Sequence, residues 1–156
     1  KLSRDKWDSI NSWSYIGEIL SYKFNNKTLK IDKYDFKSAV KFYKKAYELG
    51  SDPKTAYEIG LLYKEGDKTL TKNNSKAFEW FYKSAVQNYM PAQLEVGYMY
   101  SHGLGVEENQ KSAIKWLKKA HNHNLFACSI CYKTEIMLNN LGFVNFFRNI
   151  KQIYEF

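Results

Sequence analysis

The sequence predicts an all-α fold, namely an α/α superhelix (solenoid) of about three antiparallel helix-pair repeats with capping helices. The first observation is self-similarity: residues 56–66 align with residues 93–103 at an offset of 37, and residues 76–88 align with residues 112–124 at an offset of 36. The second is that apolar residues recur in these segments with the spacing of an amphipathic helix. The third is a glycine that recurs at one position in each copy. A helical repeat of this length is typical of solenoids.

Each copy is predicted to contain a helix A, a glycine-containing loop, a helix B and a tight turn. Gly17, Gly60 and Gly97 occupy the same position in successive A helices. A glycine inside a helix costs about 1 kcal/mol relative to alanine. We therefore expect the missing side chain to let a neighbouring helix approach closely, so that packing compensates for the lost helix propensity.

Helix B carries the pattern Ala-x-x-Trp-x-x-Lys. Ala77 and Trp80 lie about one turn apart on one face, which predicts that both point into the core. The equivalent residues at the ends of the three B helices are Gly50, Asn88 and Asn124. These residue types tolerate the left-handed backbone that ends many helices, so we expect that conformation at all three.

A chain of 156 residues is expected to form one domain. End repeats of a solenoid cannot bury both faces against a neighbour, so the flanking segments are expected to serve as caps. The predicted organisation is a single domain over residues 1–156, with repeats at about 12–50, 55–88 and 92–124 and a C-terminal cap at 126–156.

The third copy matches a known repeat pattern in register. The matching residues are Ala92, Val96-Gly97, Tyr100, Gly103-Leu104-Gly105-Val106, Ala113, Trp116 and Lys119-Ala120. This pattern resembles the Sel-one-like repeat, a relative of the tetratricopeptide repeat. The resemblance implies stacked antiparallel helix pairs and the work of an adaptor or scaffold, and it implies no catalysis.

The A helices are predicted to carry a partner-binding stripe on the face opposite their core residues. In stacked helix pairs of the tetratricopeptide kind, such stripes line the concave surface, where exposed tyrosine and leucine are suited to hold a peptide or helix. The alternative is that the same side chains pack against the neighbouring A helix. The stripe consists of Tyr57, Leu61, Lys64, Leu94, Tyr98 and Ser101.

The B helices are predicted to carry a basic outer face. The chain has a net charge of +8, which favours acidic partners and permits nucleic acid or anionic lipid. The alternative is a solvated face whose lysines keep an aromatic-rich protein in solution. The predicted face consists of Lys41, Lys44, Lys45, Lys83, Lys115, Lys118 and Lys119.

Catalytic and metal-binding motifs are not found in the sequence. It contains no nucleophile elbow, phosphate loop or metalloprotease helix, so we expect neither an enzyme nor a cofactor. His121, His123, Cys128 and Cys131 have the side chains of a zinc site. The repeat phase, however, gives Cys131 a core position, so we expect a buried thiol and no metal.

The predicted function is a protein-interaction module, an adaptor that binds an acidic peptide or helix of another protein on its concave face. Two alternatives stay open: a constitutive structural subunit of a larger, membrane-associated complex, and electrostatic binding to nucleic acid. No membrane insertion is expected, because no stretch approaches the roughly 18 apolar residues that a spanning helix needs. The compartment is open, since both the cytoplasm and the secretory-pathway lumen fit the sequence.

Overall fold

The computed structural model describes residues 4–21 and 35–122. All the regular secondary structure in these ranges is helical, which confirms the all-α prediction. The predicted cap, residues 126–156, lies outside the described residues. The helices are α1 (Arg4–Ser21), α2 (Phe36–Gly50), α3 (Pro53–Glu65), α4 (Asn74–Ala85), α5 (Met90–His102) and α6 (Gln110–Asn122).

Successive helices pack against one another and form two layers. Each A helix packs on the B helix that follows it, and α2 and α4 link these pairs by packing on α3 and α5. We call α1, α3 and α5 the A layer, and α2, α4 and α6 the B layer. Aromatic contacts join the B helices in a repeated way: Tyr47 meets Trp80 with ring centroids 5.3 Å apart, and Tyr82 meets Trp116 at 5.5 Å. The arrangement is the predicted solenoid.

The A-helix glycines form the closest approach within each helix pair. A Cβ atom placed on any of them would lie within 3 Å of a large side chain of the following B helix, closer than real Cβ atoms come to their neighbours. The predicted role of the glycines is therefore confirmed. The three contacts are Gly17 with Tyr43 at 2.9 Å, Gly60 with Phe81 at 2.6 Å and Gly97 with Leu117 at 2.7 Å.

The space beside each A-helix glycine is filled by one side chain of helix B. It belongs to the residue that directly follows the tryptophan position. Phe81 and Leu117 are completely buried, whereas Trp80 is half-buried. The prediction that Trp80 points into the core was therefore only partly right, although Trp116 is buried. The reason is that Trp80 lies at the joint between B helices, where its ring edge packs on Tyr47.

The helix ends agree with the prediction at one position and differ at another. Asn88 has φ +64°, as expected. The prediction for Gly50 was wrong, because the left-handed residue is its successor Ser51, with φ +50°. A Cβ atom on Gly50 would lie 2.7 Å from Ile10 Cδ1, so this glycine serves the packing of α1 on α2. Asn124 lies outside the described residues.

In the second and third repeats, a backbone hydrogen bond joins the two ends of the loop between helix A and helix B. Asn73 N donates to the carbonyl oxygen of Tyr63 at 2.8 Å, and Asn109 N donates to the equivalent carbonyl of Tyr100 at 2.9 Å. The asparagine side chains then cap α4 and α6 by accepting a hydrogen bond from the backbone N–H three residues later. These bonds set where each helix B starts relative to its helix A.

The α3–α4 loop also contacts the preceding repeat. Asp67 Oδ2 accepts a hydrogen bond from Phe36 N at 3.1 Å, and Thr69 Oγ1 accepts one from Lys37 N at 3.2 Å. These donors belong to the first turn of α2, whose N–H groups have no partner within the helix. The loop of the second repeat therefore caps the helix B of the first.

Replacing Gly60 with alanine is expected to destabilise the protein by about 1–3 kcal/mol, because the new methyl group would overlap the buried ring of Phe81. The free energy of unfolding is measured by urea denaturation. Glu79→Ala, at an exposed site in α4, is the control and should change little. A Gly60→Ala protein as stable as the wild type would contradict the conclusion that the ring of Phe81 leaves no room for a methyl group at this position.

Acidification is expected to weaken the contact by which Asp67 holds the α3–α4 loop against the first turn of α2. Partial burial raises the pKa of this carboxyl, but hydrogen bonds from Phe36, Thr69 and Leu70 lower it more, so the net pKa lies below the ordinary value. Its stabilising contribution is complete above the unfolded pKa of about 3.9 and is lost as the pH falls through the folded value.

Urea midpoints measured from pH 6 down to pH 2.5 should therefore fall less steeply below about pH 4 for Asp67→Asn than for the wild type. Glu79→Gln removes one carboxylate from an exposed site and is the matched control. Identical slopes for Asp67→Asn and the wild type would show that this carboxylate makes no difference to stability.

Candidate functional site

The predicted stripe lies on α3 and α5 of the A layer, and each of its six residues is half-buried. Tyr57 is held between other rings, with its centroid 5.4 Å from those of Phe81 and Tyr89. Burial, with Glu95 and Glu58 nearby, raises the pKa of Tyr57 to about 12. Its hydroxyl therefore stays protonated at physiological pH.

An ion pair joins α3 to α5 across the stripe. Lys64 Nζ lies 2.6 Å from Glu95 Oε2, with the two side chains 34% and 22% exposed. The same ammonium lies 6.0 Å from the ring centroid of Tyr98. Tyr98 in turn packs on His102 with centroids 4.1 Å apart, and Ser101 Oγ donates to the Tyr98 carbonyl at 2.8 Å. Much of the stripe on α5 is thus engaged within the chain.

A cleft opens between α1 and α3, which are the other two neighbouring helices of the A layer. Its volume is about 840 Å³, and Leu61 of the stripe is part of its wall. Leu62, Phe36 and Tyr43 give it further apolar surface. The lining residues from the two A helices are Ile10, Asn11, Ser14 and Glu18 of α1, and Pro53, Lys54, Thr55, Glu58, Leu61, Leu62 and Glu65 of α3.

The cleft is acidic although the chain as a whole is basic. Among residues 4–21 and 35–122, its lining carries four carboxylates and one lysine, Lys54. Asp52 is occupied by helix capping, since its carboxylate accepts from Thr55 N at 2.7 Å. Glu58 is half-buried, and its pKa is raised by burial, an effect that Lys54 opposes and the nearby Glu18 reinforces. A cation entering the cleft would relieve this concentration of negative charge.

Sequence reasoning missed Glu58 and Glu18 as candidate site residues. The predicted stripe consists of residues spaced four and three apart on each A helix. Glu58 lies next to these residues and is not one of them. One signal in the sequence could have found Glu58: it aligns with Glu95, two residues before the helix glycine in both cases. The acidic cleft itself depends on how α1 stands against α3.

All the lysines of the predicted basic outer face lie on B helices, and several cover aromatic rings. Lys83 Nζ lies 4.2 Å from the centroid of Trp80, and Lys119 Nζ lies 4.6 Å from that of Trp116. These are cation–π distances, and the lysine follows the tryptophan by three residues in both helices. Lys41, Lys45, Lys83, Lys115 and Lys119 are exposed, whereas Lys44 and Lys118 are half-buried.

Within residues 4–21 and 35–122, no group of three or more His, Cys, Asp or Glu side chains is arranged to hold a metal ion. His121 is buried at the end of α6, and His123, Cys128 and Cys131 lie outside the described residues. In the same ranges, no helix has both the length and the apolar character that crossing a bilayer requires.

Known proteins share the repeat pattern and the fold of this chain. The profile of the Sel1 repeat matches residues 29–51, 53–89 and 91–124, which is more than half of the chain. Chitin synthase regulator SKT5 of Saccharomyces cerevisiae is 39% identical over 54 residues, which is 35% of this chain and 8% of that protein. The sequence similarity to that regulator is therefore local.

Solved structures share the fold over most of the chain. The crystal structure of a Sel1 repeat protein from Oxalobacter formigenes has a TM-score of 0.63 and 29% identity, over 80% of this chain and 48% of that one. Cysteine rich protein B of Helicobacter pylori has a TM-score of 0.55 and 24% identity, over 84% of this chain and 96% of that one. The latter likeness concerns the fold alone.

The Lys64–Glu95 pair should contribute measurably to the joint between α3 and α5. In a double-mutant cycle with Lys64→Met and Glu95→Gln, we expect a coupling energy of about 0.5–1 kcal/mol in urea denaturation, at the upper end for partly exposed pairs. In 1 M NaCl the coupling should shrink because salt screens the attraction. Additive effects of the two substitutions at low salt would show that the pair does not hold the joint.

Proposed function

Because the chain belongs to the Sel1 repeat family, we propose that it is a non-catalytic protein-interaction module that holds a peptide or partner helix on its A layer. Repeats of this family are typically interaction modules of adaptors. The observation that carries the proposal is the cleft of about 840 Å³ between α1 and α3, which combines apolar walls with polar groups. Such a combination suits a peptide, since apolar walls supply affinity and placed polar groups supply orientation.

The partner surface continues from the cleft along the predicted stripe. Leu61 belongs to both, and Leu94 on α5 is half-buried. A peptide that crosses from α1 to α5 would bury these leucines further, which is how apolar anchors contribute most of the energy of an interface. The yeast relative is named as a regulator of a chitin synthase, which supports action on another protein.

A constitutive structural subunit of a larger complex is the second candidate. Tyr15 and Ile16 of α1 favour it, because they are 64% and 36% exposed and adjacent. An adaptor exchanges its partner, whereas a structural subunit keeps it. The rate at which labelled partner leaves the purified complex separates the two candidates.

Site-specific photocrosslinking tests the proposed binding surface. A benzoylphenylalanine placed at Glu65, an exposed residue at the rim of the cleft, should crosslink a partner in extract of the cells that express the protein. The same group at Val86, which is 50% exposed and lies at the end of α4, should not. Leu61→Asp should abolish the crosslink from Glu65 while circular dichroism reports an unchanged fold.

Equal crosslinking from both positions would overturn the proposal, and so would a crosslink from Glu65 that survives Leu61→Asp. In the first case the partner would not distinguish the A layer from the end of α4. In the second it would touch the rim without entering the cleft.

A further inference from the structure

The contact of α1 with α3 and the contact of α3 with α5 can be compared residue by residue, and they differ in charge at one equivalent position. Glu58 of α3 and Glu95 of α5 correspond, since each lies two residues before the helix glycine. Glu95 is paired with Lys64, which lies four residues after the glycine of the preceding A helix. At the α1–α3 joint that position is Ser21. In the sequence, the repeat thus keeps the carboxylate of Glu58 but has no lysine at the position that corresponds to Lys64.

In the described part of the chain, Glu58 forms no ion pair within 4 Å. Lys54 lies one turn earlier on the same helix and reduces the local negative charge, but Glu18 of α1 adds to it. Glu58 is also half-buried, so solvent screens its charge less than that of an exposed carboxylate. Unlike Glu95, Glu58 therefore has no ion-pair partner among the described residues. It also lines an open cleft.

We propose that the cleft between α1 and α3 binds a partner segment that carries a lysine or arginine, whose cation pairs with Glu58 in the way that Lys64 pairs with Glu95. This inference rests on the protein-interaction function proposed above. Charge complementarity identifies the occupant: among the described residues, Glu58 and Glu65 line the cleft as carboxylates, and the lysine in the lining, Lys54, forms no ion pair with Glu58. An acidic segment would meet repulsion here, whatever attraction the rest of this basic chain exerts.

The apolar part of the cleft adds a second requirement. Leu61 and Leu62 of α3 and Ile10 of α1 lie in the same lining as the carboxylates. The segment that fits has a basic residue next to apolar ones, so that the leucine side chains are covered while the ion pair forms. The apolar contact also lowers the local dielectric constant, which strengthens the attraction between the two charges at the cost of desolvating them.

A random dodecapeptide library displayed on phage tests the charge preference without assuming a sequence. Peptides selected on the wild-type chain should be enriched in lysine or arginine beside apolar residues. Their synthetic versions, measured by fluorescence anisotropy, should bind Glu58→Gln about tenfold or more weakly, as expected when a charged hydrogen-bond partner is lost. Glu107→Gln removes the same charge from an exposed loop and should leave the affinity within twofold.

A gain of charge supplies the complementary variant. Ser21→Lys introduces a lysine at the sequence position that corresponds to Lys64, and if its ammonium pairs with Glu58 it should weaken binding of the same peptides about as much as Glu58→Gln does. Relative to the wild type, Ser21→Lys should also lower the pKa of Glu58, which carbon-13 NMR of the glutamate side chains reports. The lower pKa would show that the introduced lysine reaches Glu58, so unchanged peptide binding despite that shift would overturn the proposal.

The outcomes separate this inference from the function on which it rests. Selected peptides without a basic preference, or equal losses with Glu58→Gln and Glu107→Gln, would overturn the charge assignment alone. If no peptide were enriched on a chain of unchanged stability, the binding function itself would fail. Tighter binding after replacing Lys23, Lys27, Lys30 and Lys33 with glutamine would indicate that the chain supplies its own cation, which also overturns the proposal.

Discussion

The structure depends on one steric constraint, the close approach of each A helix to the B helix that follows it. At each of the three glycines there is no room for a methyl group, because a tyrosine, phenylalanine or leucine side chain occupies the space. This contact fixes the spacing of the helix pair, and the repeat of the contact fixes the stacking of the pairs. About 1 kcal/mol of helix propensity is sacrificed at each glycine, and close packing offsets that loss.

The same constraint determines which surfaces remain for binding. Because the glycine side of each A helix is turned into the core, its other side forms the outer surface of the A layer. There the two contacts between A helices differ: the Lys64–Glu95 ion pair joins α3 to α5, whereas a cleft lies between α1 and α3, with four carboxylates among the described residues of its lining. The two contacts therefore differ chemically although the repeat has a glutamate, Glu58 or Glu95, at the same position in both.

The two layers also differ in charge. Several lysines of the B layer, among them Lys83 and Lys119, lie over indole rings, so their cations partly stabilise the aromatic contacts between repeats. The net charge of +8 therefore describes the chain as a whole, and it does not describe the cleft, whose lining is acidic. Composition indicated an acidic partner, whereas the local charges of the cleft favour a basic segment there.

The sequence by itself determined the fold class and the role of the glycines, because both follow from the spacing of residue types along the chain. It identified the buried face of helix B but not the depth of each residue: Phe81 is fully buried and Trp80 is not, since the joint between B helices lies outside any one repeat. It also assigned the left-handed backbone to Gly50 and missed that α1 packs there. Only the tertiary structure decided where a cleft opens and which carboxylates meet in it, because Glu18 and Glu58 are 40 residues apart in sequence and come together only when α1 stands against α3.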